Sequence, residues 1–102
     1  MRYYFLGIGG IGMSAIARYF KAKGFDVAGY DRTSTVLTRE LESEGIAVNY
    51  VDEVGEIAEQ YCDVANTLVV YTPAIPADNK QYQYFLNNGF KAYLPKPAGS
   101  NS

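Results

Sequence analysis

The chain has 102 residues, 48% of them apolar and 20% charged, with a formal net charge of −2. That balance describes one small globular domain. It is long enough to bury a core, too short for a second domain with its own substrate, and lacks the basic excess of a nucleic-acid-binding protein. One cysteine and no histidine rule out an internal disulfide and the usual zinc ligand sets, so no metal site is expected.

The N-terminus enters a strand-like segment without the basic region, apolar stretch and cleavage site of a signal peptide. No apolar run approaches the roughly 20 residues of a membrane span. A cytoplasmic domain with no membrane or nucleic-acid partner is expected. The ten tyrosines read as partly buried packing residues whose hydroxyls reach water.

The first strand is the apolar run Tyr3 to Leu6, and it leads directly into Gly7-Ile8-Gly9-Gly10-Ile11-Gly12. From about Gly12 to Lys23, Met13, Ile16, Ala17 and Phe20 recur at helical spacing, with Arg18 and Lys21 on the opposite face. Lys23-Gly24 closes this helix, and a second strand, Asp26 to Tyr30, ends at Asp31. A second helix follows the cap candidates Ser34 and Thr35, turns Leu37 and Leu41 inward, and ends at Glu44-Gly45 before a strand from Ile46 to Tyr50. Val54, Ile57, Ala58 and Tyr61 space a third helix, with Asp52, Glu53, Glu56 and Glu59 as its solvated start and face. Leu68 to Tyr71 is the fourth strand. Asp78 and Gln81 stand at capping-box spacing before a helix that buries Tyr82, Phe85 and Leu86, and Asn88-Gly89 precedes a last strand from Phe90 to Leu94. Glycine at each of the three helix ends suits the left-handed C-cap conformation. Residues 96–102 carry loop formers without periodicity and read as a tail, a linker or an artificial remnant.

Five strands alternating with four helices predict an α/β, Rossmann-like fold: an open parallel five-stranded sheet of order 3-2-1-4-5, with helices on both faces. Ligands in such sheets bind at the carboxyl ends of the strands, where the strand order reverses. Three segments then converge: the glycine turn, Asp31, and Thr72 to Ile75.

A strand that turns through glycines into a helix builds an anion site, because the helix start offers unpaired N–H groups and the positive end of its dipole. Here Gly7 allows the tight exit from the strand, Gly9 and Gly10 let backbone N–H groups approach oxygen, Gly12 lets the helix pack close to the sheet, and Ser14 adds a hydroxyl. The same glycines also suit a plain strand–helix turn. Asp31, nineteen residues after Gly12, fits either a ribose acceptor or a turn aspartate. Thr72-Pro73-Ala74-Ile75-Pro76 is either a stiff ligand-contacting loop or simply a strand end. Cys62 reads as an inert, partly buried thiol. No nucleophile–base pair, metal cluster or G-x-x-x-x-G-K-[ST] loop is present, so the chain reads as a binding domain without catalytic residues. Gly9→Val is expected to block a ligand while leaving the fold largely intact.

The run Phe5 to Ala17, followed by Gly29-Tyr30-Asp31 and by Val70 to Asn79, is more specific than a glycine fingerprint. From residue 2 to about 95 the chain resembles the N-terminal domain of the Mur ligase family, in the branch that joins L-alanine to UDP-N-acetylmuramic acid. The resemblance implies a UDP-sugar-binding domain over residues 2–95. It places the diphosphate at Gly9, Gly10, Ile11, Gly12, Met13 and Ser14, with uracil or ribose near Asp31 and Thr72, Ala74 and Ile75 closing over the nucleotide. Asp52 stands where many members carry a histidine. The resemblance also implies a parent enzyme of peptidoglycan precursor synthesis with central and C-terminal ligase domains. In that parent, ATP and Mg2+ activate the substrate carboxylate as an acyl phosphate for attack by the amine, while the present residues alone are inactive and hold no cofactor. The alternatives are an NAD-binding domain of an oxidoreductase or redox sensor, and a regulatory or oligomerising module with an empty crevice.

Overall fold

The computed structural model describes residues 1–96, so the tail expected over 96–102 lies, from residue 97 on, outside the described residues. Five short segments rich in β-branched, aromatic and small residues form one parallel sheet: β1 (Arg2–Leu6), β2 (Asp26–Tyr30), β3 (Ala47–Asn49), β4 (Thr67–Tyr71) and β5 (Lys91–Tyr93). Their order is β3-β2-β1-β4-β5, as the alternation predicts. The central register pairs Leu6 with both Tyr30 and Tyr71, so β1, β2 and β4 end side by side.

Period-two alternation in β1 feeds two cores. Tyr4 and Leu6 pack with Tyr30, Val69, Phe85 and Phe90 on one face, while Phe5 and Ile8 pack with Met13, Ala17, Leu41 and Val70 on the other. The second face is covered by α1 (Ile11–Ala22) and α2 (Val36–Ser43), the first by α3 (Lys80–Asn87). Gly24, Gly45 and Gly89, each just past a helix, have φ between 76° and 92°, the left-handed conformation expected there.

Several expectations need correction. The third predicted helix does not form: its residues make two 3₁₀ turns, Val54–Glu56 and Glu59–Cys62, with Ile57 and Ala58 extended between them. Gly55 weakens any helix there, and burying Ile57 and Tyr61 against the sheet decides the path instead. Nor do the acidic residues line a helix face. Asp52 accepts the Lys80 and Gln81 amide hydrogens at 2.9 and 3.1 Å, and Glu53 pairs with the Lys80 ammonium. In α3 the N-cap is Asn79 rather than Asp78, Gln81 is fully buried, and Leu86 faces solvent. Cys62 is exposed rather than partly buried.

Tyr4 also departs from the tyrosine reading, because its hydroxyl never reaches water. It donates to Gln81 Oε1 at 2.7 Å, Gln81 Nε2 donates to Asn49 Oδ1 at 2.9 Å, and Asn49 Nδ2 donates back to the Tyr4 oxygen at 2.7 Å. This closed ring ties β1, β3 and the first turn of α3 together. Burial pushes the Tyr4 phenol well above its ordinary value, and the Asn49 hydrogen bond only partly opposes that.

Candidate nucleotide-binding site

The chain leaves β1 through Gly7, at φ 91°, where Thr72 lies so close that no Cβ could be accommodated. The Gly7 and Ile8 amides donate to the Tyr30 carbonyl at 2.8 and 3.1 Å, anchoring the turn to the end of β2. Gly10 is the N-cap of α1, and the first intrahelical bond runs from the Ser14 amide to its carbonyl at 2.8 Å. The amides of Ile11, Gly12 and Met13 have no hydrogen-bond partner among the described residues, and the first turn carries neither a capping side chain nor an acid.

The other two helices are treated differently. Thr35 caps α2 in a reciprocal box with Thr38. At α3, Asn79 accepts the Tyr82 amide hydrogen while Asp52 accepts two more. Among the described residues only α1 presents its positive end bare, and it does so where the carboxyl ends of β1, β2 and β4 meet.

Two clefts flank this helix start and share Gly10 and Thr72. One, of about 330 Å³, is lined by Tyr30, Asp31, Arg32, Thr33, Ala74, Ile75, Pro76 and Asn79. The other, of about 390 Å³, is lined by Gly12, Met13, Ile16, Tyr71, Pro73, Leu94, Pro95 and Lys96. The wall between Thr72 and Asn79 is two consecutive turns, closed by bonds from the Ile75 amide to the Thr72 carbonyl and from the Asn79 amide to the Pro76 carbonyl, each 3.0 Å.

The structure gathers Gly10, Asp31, Thr72, Ala74 and Ile75 around the first cleft, and Gly10, Gly12, Met13 and Thr72 around the second. Ile11 is 86% exposed at the helix start. Two residues are otherwise engaged. The Gly9 amide donates to Asp31 Oδ2 at 2.7 Å, and the buried Ser14 hydroxyl donates to the Ile11 carbonyl at 2.9 Å.

Gly12 does not serve close packing either, since a Cβ there meets nothing within 4 Å. A Cβ at Gly9, by contrast, would lie 2.7 Å from Asp31 Oδ2 and 2.9 Å from Thr38 Cγ2. Gly9→Val therefore disturbs the loop itself and is not the clean ligand-blocking variant expected.

Tyr30 and Asn79 line the first cleft and were not singled out from the sequence. Their signal lay beside the chosen residues, Tyr30 next to Asp31 and Asn79 at the end of the quoted Val70 to Asn79 run. Both are about 95% buried. Burial raises the Tyr30 phenol first, with the Asp52 and Asp31 carboxylates adding to the effect and the Asn79 side chain opposing it. The phenol therefore stays protonated in the cleft.

A family model described as "Mur ligase family, catalytic domain" matches residues 2–96. The chain is 59% identical over 90 residues to a UDP-N-acetylmuramate–L-alanine ligase of Christiangramia forsetii, covering 87% of this chain and 20% of that protein. A ligase of the same name from Cytophaga hutchinsonii is 51% identical, over 88% of this chain and 19% of its own. Among solved structures, the UDP-N-acetylmuramate-alanine ligase of Thermotoga maritima superposes with a TM-score of 0.80 at 29% identity, over 92% of this chain and 20% of that one. The chain thus spans about one fifth of the length of the relatives it matches. None of these matches supports the dinucleotide alternative. A family model that covers nearly the whole described chain, and relatives above half identity over most of it, establish that this chain belongs to the Mur ligase family.

Proposed function

We propose that this chain is the UDP-binding unit of a ligase that joins L-alanine to UDP-N-acetylmuramic acid in cytoplasmic peptidoglycan precursor synthesis. The single observation that carries the reading is the bare start of α1, with three amides unpartnered among the described residues at the meeting point of two clefts. The diphosphate sits there. Gly10 and Gly12 support this placement: neither is required to be glycine by its packing, and both keep side chains away from the approach. Uridine occupies the cleft of Asp31, Thr72, Ala74 and Ile75, where Asp31 accepts from ribose hydroxyls and the Thr72 to Pro76 wall covers the base.

Ligation itself belongs to the parent protein. There, by family likeness, a central domain holds ATP and Mg2+, and a C-terminal domain holds the amino acid. The present residues do not fit those groups: they include no G-x-x-x-x-G-K-[ST] loop, and no cluster of three acidic or cysteine side chains suited to a metal exists among the described residues. What these residues do is bind, orient and neutralise a diphosphate.

Titration with UDP-N-acetylmuramic acid, followed by amide chemical shifts, tests the proposal. Movement concentrated at Gly10 to Met13, Asp31 and Thr72 to Ile75 is expected. Unmoved signals at these residues with millimolar ligand would sink it.

A further inference from the structure

The contact between Asp31 and the glycine turn assigns this carboxylate a task separate from touching a ligand. Asp31 is held from behind by its own amide, which donates to the Asn49 carbonyl at 3.0 Å across the end of β3. Its two oxygens are split. Oδ2 accepts the Gly9 amide hydrogen at 2.7 Å and Oδ1 accepts that of Thr33 at 3.1 Å. The first is a short, charge-assisted bond from the turn to a negative group. A Cβ at Gly9 would meet the Thr38 methyl as well as the Asp31 carboxylate, and Thr38 is fully buried and fixed by the α2 capping box. Gly9 therefore has no room for a side chain beside Asp31 and Thr38, and its donor is consumed. Next along the chain, the Gly10 amide turns back to the Gly7 carbonyl at 3.3 Å. The free donors begin at Ile11.

We propose that Asp31 is a positioning residue, an internal anion that holds the glycine turn in its receptive shape and leaves the phosphates to the Ile11, Gly12 and Met13 amides. This deepens, and rests on, the nucleotide reading above. Gly9, the natural candidate for a phosphate donor, does not contact the ligand. The fixed carboxylate also sets the ligand class. Its remaining lone pairs accept from a ribose with free hydroxyls, and its charge repels a ribose that carries a 2′- or 3′-phosphate.

The test compares the Gly9 amide in the wild-type chain, Asp31→Ala and Asp31→Asn, first without ligand and then with UDP. In the free wild-type chain the Gly9 proton is expected to resonate downfield and exchange slowly. In Asp31→Ala both features are lost, and in Asp31→Asn, which keeps one acceptor oxygen, they are partly retained. On saturation of the wild type with UDP, the Ile11 to Met13 amides move while Gly9 stays in place. UDP affinity falls tenfold or more in Asp31→Ala, which loses both the hold on the turn and the acceptor facing the ribose. Uridine 3′,5′-bisphosphate binds the wild type far more weakly than UDP, and Asp31→Asn narrows that gap.

A Gly9 signal that is identical in the free wild type and Asp31→Ala overturns the proposal. So does UDP moving Gly9 as far as Gly12. If UDP moves no amide at all, the nucleotide reading fails instead, and the ligand-free comparison still decides whether Asp31 holds the turn.

Discussion

At Tyr4 a single hydroxyl closes a buried ring with Asn49 and Gln81; removing it takes the donor from Gln81 Oε1 and leaves Asn49 Nδ2 with only the Gly29 carbonyl, at 3.2 Å. Tyr4→Phe is expected to cost about 1–3 kcal/mol in urea denaturation at neutral pH. The raised phenol also fixes a sign with pH. Above its ordinary value of 10.0 the unfolded chain releases this proton while the folded chain keeps it. Stability therefore falls as pH rises past 10.0, by up to about 1.4 kcal/mol per pH unit from this group, and Tyr4→Phe should flatten that limb. An equally steep alkaline decline in the variant would assign the effect elsewhere. At Gly12 the helix start poses the opposite choice between stability and function. An acid in this first turn would favour the helix dipole by about 0.3–1 kcal/mol, yet the turn has none. Gly12→Asp is expected to hold or raise the melting temperature while lowering UDP affinity tenfold or more; unchanged affinity would remove the α1 start from the site.

At the level of elements, the three helix starts separate structure from function. Those of α2 and α3 are closed, α2 by its own Thr35 and Thr38, α3 by Asn79 together with Asp52 from outside the helix. Asp52→Ala should therefore destabilise the fold by about 1–2 kcal/mol through loss of its two bonds to the α3 start, and disturb Asn79 in the adjacent cleft. Urea denaturation checks the first effect; loss of UDP binding without loss of stability would contradict this account of Asp52. α3 also carries Phe85, fully buried against Tyr4 and Phe90 on one face of the sheet, and Phe85→Ala should cost about 3–5 kcal/mol in the same assay.

The elements that were legible in the sequence are those whose signals are local. Glycine after a helix, the Met13 to Phe20 stripe, and continuous apolar strands each announce themselves within a few residues. The segment from Val54 to Tyr61 was misread because its spacing is helical while its path is decided by what Ile57 and Tyr61 bury against across the sheet. The bonds of Asp52, Gln81 and Asn49 stayed hidden for the same reason, since their partners lie 20 to 77 residues away.

For the whole molecule, strand order places the glycine turn, Asp31 and the Thr72 loop at one edge, and this part of the site follows from the sequence pattern alone. What the pattern could not supply was the division of labour inside it. Gly9 faces Asp31, the Ser14 hydroxyl turns back into the helix, and Tyr30 and Asn79 line the cleft. These are matters of side-chain direction, set by packing rather than by spacing. The second cleft, bounded by Leu94, Pro95 and Lys96, was likewise invisible before β5 was placed beside β4.

The central claim is that this fold holds a UDP-sugar rather than a dinucleotide. Isothermal titration of the chain with UDP-N-acetylmuramic acid and, separately, with NAD tests it most directly. The account predicts saturable binding of the UDP-sugar, competed by UDP, and at least tenfold weaker binding of NAD. Equal or tighter binding of NAD would contradict it.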